Sequence, residues 1–255
     1  MLKFKYIVIS AAILLMVLLV LEPLVFVSVW WYVLLFSTLF WILLIGSFSM
    51  GWGLFLKAFT SNASVKEKKI AITFDDGPNA HYTPKVLQLL KDYDAKATFF
   101  CIGKQVEKHP GLLKQIHEGA HCIGNHSYSH SSTIDFKSTE EWLMELKNTD
   151  KAIFEVLEQQ TTLFRPPYGV TTPHLAKALK VTGHNVIGWN NRSFDMAIKN
   201  PEMVIKRTLK KIKPGSVILL HDKHERIETI LEQLLQFLKT QEYQMVTIKE
   251  LMNEK

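Results

Sequence analysis

Between Tyr6 and Phe59 the chain carries one acid, Glu22, and one base, Lys57. An apolar run of this length exceeds any buried helix of a soluble domain, so it commits the start of the chain to a membrane or to export. It is long enough for two spans. Glu22-Pro23 offers one break, with Tyr6 to Leu21 before it and Leu24 to Leu44 after it. Alternatively the turn lies near Val29-Trp30-Trp31-Tyr32, because Trp and Tyr prefer the membrane interface, and the second span runs from about Val33 to Gly53. Lys3 and Lys5 before an apolar core also suit a cleaved secretory signal. No convincing small-residue cleavage site follows before the apolar sequence resumes, so a retained anchor over residues 1–60, of two transmembrane helices, is the expectation.

A lysine-containing stretch, "TSNASVKEKK", then joins the anchor to the rest, with a linker over 61–68 and one domain over 69–255, enough chain for a substantial core. The formal charge of +6 invites a nucleic-acid reading, but the lysines are scattered along helical faces such as "KRTLKKIK" with no interleaved aromatics. Solvated helix surface and membrane-flanking charge explain them, and no nucleic-acid partner is expected. The two cysteines, Cys101 and Cys122, lie in strand-like runs; buried free thiols are the default, with a bridge between neighbouring strands left open.

Strand-like runs occur at Lys69–Phe74, Ala97–Ile102, His121–Gly124, Leu163–Arg165, Asn185–Trp189, Val217–Leu220 and Met245–Thr247. Helices with start signals lie between them: Thr83-Pro84, a capping box at Ser138-Thr139-Glu140-Glu141, Thr172-Pro173 and Asn200-Pro201. This alternation predicts an α/β domain with a mostly parallel sheet covered by helices, open or closed into a barrel. Chemistry in such folds collects at the carboxyl ends of strands. There the sequence places Asp75 and Asp76, His126 and His130, Arg165 and Tyr168, Asp195, and His221.

Within "IAITFDDGPNAHYTP" an apolar strand ends in two adjacent carboxylates, which repel one another and lose hydration unless a cation compensates them. His126 and His130, in "NHSYSH", have the i, i+4 spacing that on a helical turn presents two imidazoles on one face. Alone that spacing is a weak signal. Beside a strand-terminal acid pair it implies one acid and two histidines on a divalent metal, with positions open for water and substrate, and a second acid left free as a base.

The segments "TFDDG", "HSYSH", "RPPYG" and "ILLHD", in this order, resemble the polysaccharide deacetylase family, also called the NodB-homology domain or carbohydrate esterase family four, over essentially all of Lys69 to Met252. The resemblance implies a distorted (β/α) barrel of about seven strands and metal-dependent hydrolysis of N-acetyl groups on glycan amino sugars. It implies that Asp76, His126 and His130 hold the metal, zinc being the usual ion, and that Asp75 is the general base. Tyr168 would supply a backbone N–H to the oxyanion and His221 would protonate the leaving amine. Arg165 would orient Asp75 while weakening it as a base, and Asp195 would pair with His221. Leu219, two residues before His221 on the same strand face, would line the acetyl pocket. Met196 stands where many members carry tryptophan, and Arg192 where an acid is common, which leaves groove shape open. Singly, each residue has an ordinary explanation, such as a turn at Asp-Asp-Gly-Pro or a structural ion pair at Arg165. His224 and the remaining histidines carry no motif.

Three functions fit: a membrane-anchored deacetylase of peptidoglycan or another N-acetylated glycan; a deacetylase or deformylase of a lipid-linked amino sugar at the membrane; and a metal- or glycan-binding domain without turnover. Retention of both Asp75 and His221 opposes the third. The lysines flanking the two spans place the domain in the cytoplasm by the positive-inside rule, but that rule is weak ahead of a large domain, and an extracytoplasmic face is expected.

Overall fold

The computed structural model describes residues 2–254. Two apolar helices come first, α1 (Leu2–Leu21) and α2 (Val29–Phe48), each of 20 residues. At about 1.5 Å per residue each is about 30 Å long, the thickness of a bilayer's hydrocarbon core. Both are long and apolar enough to cross a membrane, and almost none of their residues is fully buried. The second helix falls between the two registers considered from sequence. Ser28 accepts a bond from Trp30 N–H, so Trp30, Trp31 and Tyr32 open the helix instead of forming the turn. The helices form a hairpin: the Tyr32 hydroxyl lies 3.3 Å from Glu22 at one end, and Lys3 Nζ donates to the Trp52 carbonyl at 2.7 Å at the other.

The rest is a parallel half-barrel. Its strands are β1 (Lys69–Asp75), β2 (Ala97–Cys101), β3 (Cys122–Asn125), β4 (Leu163–Phe164), β5 (Asn185–Val186), β6 (Asn191–Arg192) and β7 (Val217–His221), in the order β5-β4-β3-β2-β1-β7-β6. A short β8 (Gln244–Met245) pairs with the first residues of β1. The distorted barrel that the sequence resemblance implies is therefore present. Of the run expected at Asn185–Trp189 only Asn185–Val186 forms a strand, and the next residue, Ile187, bridges to Phe59 from the chain after α2. The two-residue β6 had no apolar run to announce it.

Around the sheet lie α3 (Thr83–Asp92), α4 (Gly103–Lys108), α5 (Pro110–Glu118), α6 (Thr139–Leu157), α7 (Pro173–Thr182), α8 (Pro201–Leu209), α9 (Ile227–Thr240) and α10 (Ile248–Asn253). Ser138, Thr172 and Asn200 cap α6, α7 and α8 as their sequences require. Thr83 does not cap α3. It lies inside the helix, and its hydroxyl accepts the Asn79 N–H and donates to Asp222.

Side chains alternate across each strand, and that period sorts the residues of β1. Ile70, Ile72 and Phe74 join Val86, Leu90, Leu231, Leu234 and Leu238 in the outer core beneath α3 and α9. Ala71 belongs instead to a second cluster with Phe100, Leu163, Ile187, Val217 and the α10 residues Ile248 and Leu251. Thr73 and Asp75 share Ala71's face, so the strand ends by presenting a carboxylate to the barrel interior. β7 runs in register with β1, pairing Thr73 with Leu219 and Asp75 with His221. An acid and a histidine thus face the same cleft from adjacent strands. Cys101 and Cys122 are both free thiols, and burial raises the Cys101 pKa well above the ordinary value.

Candidate active site

Adjacent residues of a strand point to opposite faces, yet Asp75 and Asp76 both line one cleft. The reason is backbone: Asp76 has φ 77, and this left-handed turn swings its carboxylate back to the interior. His126 follows β3 directly. The turn that brings His130 back beside it is not helical, contrary to the expectation from the i, i+4 spacing: Ser127 and His130 have φ 64 and 47. Glu145, buried on α6, holds this loop by accepting the N–H groups of Tyr128 and Ser129 at 2.9 and 2.7 Å and the Ser129 hydroxyl at 2.7 Å. The two imidazoles end with ring centroids 5.0 Å apart.

Asp76, His126 and His130 each offer one ligand atom, and these atoms lie within 4.8 Å of one another. Asp76 Oδ1 is 3.1 Å from His130 Nε2 and 3.5 Å from His126 Nε2, yet it is buried with no hydrogen-bond partner. A buried carboxylate oxygen left unbonded between two imidazole nitrogens is the environment that a divalent cation completes, and the donor set suits one. His126 Nδ1 lies 2.8 Å from the Arg165 carbonyl, which turns Nε2 towards Asp76. Burial, then the charges of His126 and Lys223, lower the His130 pKa to about 4, so its imidazole is neutral, the form that ligates. Lys223 Nζ stands 2.5 Å from Asp76 Oδ2.

Arg165 is fully buried and bonds at every edge: Nη1 to Asp75 Oδ1 and to the Thr73 hydroxyl, each at 2.7 Å; Nη2 to the Gly188 carbonyl at 2.9 Å; and Nε to the Ile187 carbonyl at 3.2 Å. Its guanidinium carbon lies 4.2 Å above the Phe100 ring centroid. One oxygen of Asp75 is therefore fixed, and the other lies 3.7 Å from His126 Nε2, facing the triad.

Across the cleft, Asp195 accepts four bonds. Ser193 Oγ and His221 Nδ1 each reach Oδ1 at 2.9 Å, while the His221 N–H and His224 Nε2 reach Oδ2 at 2.8 and 3.0 Å. Burial alone would disfavour the Asp195 carboxylate, but the bonds and charges of His221 and His224 outweigh it and hold its pKa well below the carboxylate range. Burial likewise opposes a charged His221, and here the Asp195 bond and the charges of Asp75 and Asp76 prevail, raising its pKa.

The cleft, about 230 Å³, is lined by every residue singled out from sequence except Arg165, which lies behind Asp75. Leu219 is buried in its wall and Met196 is exposed at its rim. Tyr168 sits in a 3-10 turn with φ 58, its ring edge-on to His130 at 4.7 Å. Sequence reasoning missed Trp189, Phe194 and Lys223 in the lining, and His224 behind it. His224 lies three residues past the "ILLHD" histidine, and no spacing rule marks it.

The family model described as polysaccharide deacetylase matches residues 62–187. A peptidoglycan-N-acetylglucosamine deacetylase of Listeria monocytogenes is 38% identical over 74% of this chain, and the chain spans 40% of that relative's length. The solved peptidoglycan deacetylase PdaC of Bacillus subtilis is 32% identical, with a TM-score of 0.69, over 73% of this chain and 91% of that one. A structure described as a pseudoenzyme of carbohydrate esterase family four, from Bacillus anthracis, superposes with a TM-score of 0.71 at 28% identity, covering 78% of this chain and 69% of that one. With four motifs converging on one cleft and this coverage by a relative above 30% identity, the chain belongs to the polysaccharide deacetylase family.

Proposed function

We propose that the chain is a metal-dependent N-deacetylase of peptidoglycan amino sugars. One observation carries this reading: Asp75, tied at one oxygen to Arg165 and facing the Asp76–His126–His130 triad with the other, stands across a single cleft from the His221–Asp195 pair. Binding alone needs neither a base nor an acid. The Bacillus anthracis pseudoenzyme means that the fold by itself does not establish turnover, and the presence here of both Asp75 and His221 favours it.

An amide is a poor electrophile with a poor leaving group, so its hydrolysis needs an activated water, a stabilised oxyanion and a proton for nitrogen. A divalent ion, which we take to be zinc, held by Asp76, His126 and His130 supplies Lewis acidity towards the carbonyl and acidifies water in the cleft. Asp75 takes the proton of the attacking water, its geometry fixed by Arg165. The Tyr168 backbone N–H donates to the oxyanion. His221, kept protonated by Asp195, gives its proton to the departing amine. Leu219, with Met196 at the rim, shapes the space for the acetyl methyl.

The proposal covers the layout too. Residues 1–60 anchor the chain, 61–68 lead out of the anchor, and 69–255 do the chemistry on the extracytoplasmic face, where peptidoglycan lies. Purified full-length chain loaded with zinc, given N-acetylated peptidoglycan, is expected to release acetate and leave one free amine per acetate. Absence of both products from wild-type protein of full metal content sinks the reading. Because the hairpin brings the chain's N-terminus to the same end as the domain, a lipid-linked amino sugar on the cytoplasmic leaflet is the second reading. Protease added to sealed cells separates the two: digestion of the domain supports the outer face, and protection until lysis supports the inner.

A further inference from the structure

No free tether separates the apolar helices from the cleft. After α2 the chain reverses at Gly53, with φ 64, and Leu54 folds back over Gly46, where an added Cβ would stand 2.2 Å from Leu54 Cδ2. Leu54 and Phe55 are buried against Ala176 of α7, and Phe55 also meets Phe4 of α1, with ring centroids 5.1 Å apart. Phe59 then joins the sheet edge: its N–H bonds to the Val186 carbonyl, and its carbonyl accepts the Gly188 N–H, both at 2.8 Å. From Leu54 to Phe59 this connection is held by buried apolar packing at Leu54 and Phe55 and by sheet pairing at Phe59.

Two contacts run from the end of α2 into the catalytic wall. The carbonyl of Ser47, in the last turn of α2, accepts the Thr171 N–H at 2.9 Å and the Thr171 hydroxyl at 3.3 Å. Carbonyls of a last helical turn lack partners within their helix, so this one is satisfied by the domain. Thr171 is three residues past Tyr168, so at most about 10 Å of chain separates the oxyanion donor from the apolar helix. Met50, 6% exposed, packs on the same wall. A Cβ at Gly169 would lie 3.6 Å from Met50 Sδ, and one at Gly188 would lie 3.2 Å from Met50 Cε. Gly169 follows the oxyanion donor, and the Gly188 carbonyl holds Arg165, which holds Asp75. Trp189 stands nearer the first position, at 2.5 Å, and Thr60 nearer the second, at 2.9 Å, so Met50 belongs to the packing that backs both glycines.

We propose that the end of α2 is a positioning element of the active site: Ser47 and Met50 set the Tyr168–Gly169 turn and the Gly188 backbone behind Arg165, so turnover requires the seated hairpin and takes place at the membrane surface. The inference rests on the deacetylase reading of the same cleft. It goes beyond that reading in assigning active-site positioning to residues of the apolar hairpin, which precede the matched residues 62–187.

The test uses the full chain in lipid nanodiscs, with acetate release and bound zinc measured together. Misplacing reacting groups by about 1 Å costs about a hundredfold; accordingly Met50→Ala is expected to lower kcat about ten- to hundredfold, with KM within about twofold and zinc content unchanged. Met50→Leu, which refills the volume, recovers most of the loss. A Gly-Ser-Gly insertion after Ser49 alters no domain residue while uncoupling Met50 from the register of α2, and is expected to lower kcat in the same direction as Met50→Ala. Wild-type kcat in Met50→Ala or in the insertion variant overturns the inference while leaving the deacetylase reading intact. A wild-type chain that binds zinc and releases no acetate overturns the reading on which it rests.

Discussion

Replacing Asp195 by asparagine keeps the shape of the His221 support and removes its charge. Asp195 accepts donors at both oxygens, two from His221, one from His224 and one from Ser193. An asparagine offers one oxygen and turns an NH2 group towards the donors on the other side, so at least one buried bond is lost and another becomes a donor–donor clash. Bonds to a charged group are worth about 1.5–3 kcal/mol each, and two such losses place the stability cost at about 3–6 kcal/mol before relaxation. The kinetic consequence has a sign. His221 must carry a proton to donate it, and its pKa is raised chiefly because the Asp195 bond overcomes burial. Without that carboxylate the pKa falls, the protonated fraction shrinks, and the alkaline limb of the kcat profile moves to lower pH. General-acid assistance is worth about 10²–10⁴ in rate, so Asp195→Asn is expected to lose that range in kcat near neutral pH, with zinc retained because no triad ligand is touched. Initial rates of acetate release across pH, with metal content measured on the same samples, read both effects. An alkaline limb that stays in place, with kcat within about threefold of wild type, would refute the pairing of Asp195 with a catalytic His221.

Burial raises the pKa of Asp222, whose side chain meets the Asp-Gly-Pro turn, to about 7. A carboxyl that holds its proton more tightly folded than unfolded makes stability fall as pH rises from about 4 to about 7; Asp222→Asn should flatten the thermal-midpoint profile over that window, and an unchanged slope would contradict the assignment. Gly215 has φ 75, and a Cβ there would stand 1.8 Å from the Asn62 carbonyl oxygen. Gly215→Ala is expected to cost more than the roughly 1–2 kcal/mol of a left-handed alanine, read as a lower midpoint of unfolding; a shift smaller than that would show that the segment around Asn62 is held loosely. Glu145→Gln keeps an acceptor for the His126–His130 loop but weakens three bonds that a carboxylate receives, so zinc affinity should fall about 10- to 100-fold, as for other supports behind a metal ligand, and unchanged affinity by competitive chelation would remove Glu145 from that role.

The parts of this site that the sequence discloses are those made by neighbours along the chain. The apolar stretch ending in Asp75-Asp76, the "HSYSH" pair and the end of "SVILLH" each sit where a strand stops, and a parallel sheet gathers strand ends on one side. What stayed hidden depends on contacts that no local pattern encodes. The His126–His130 pairing follows from left-handed Ser127 and His130 in a loop whose Tyr128 and Ser129 are held by Glu145 of α6, not from a helical turn. His224 meets Asp195 across 29 positions, and Ser47 meets Thr171 across 124. The helix start at Val29 falls between the two registers the sequence allows, because tryptophans that read as an interfacial turn can equally open a helix once Ser28 caps it. Residues 61–68 read as a linker from composition alone, whereas Ser61 bridges to Ser216 and the Asn62 N–H bonds to the Gly215 carbonyl at 2.9 Å.

The central claim is that Asp75 is the base of a metal-dependent hydrolysis, and Asp75→Asn tests it most directly. Asp75 is outside the triad, so zinc content should match wild type, while acetate release from N-acetylated peptidoglycan should fall by about 10²–10⁴. Full metal content with acetate release near the wild-type rate would contradict the account.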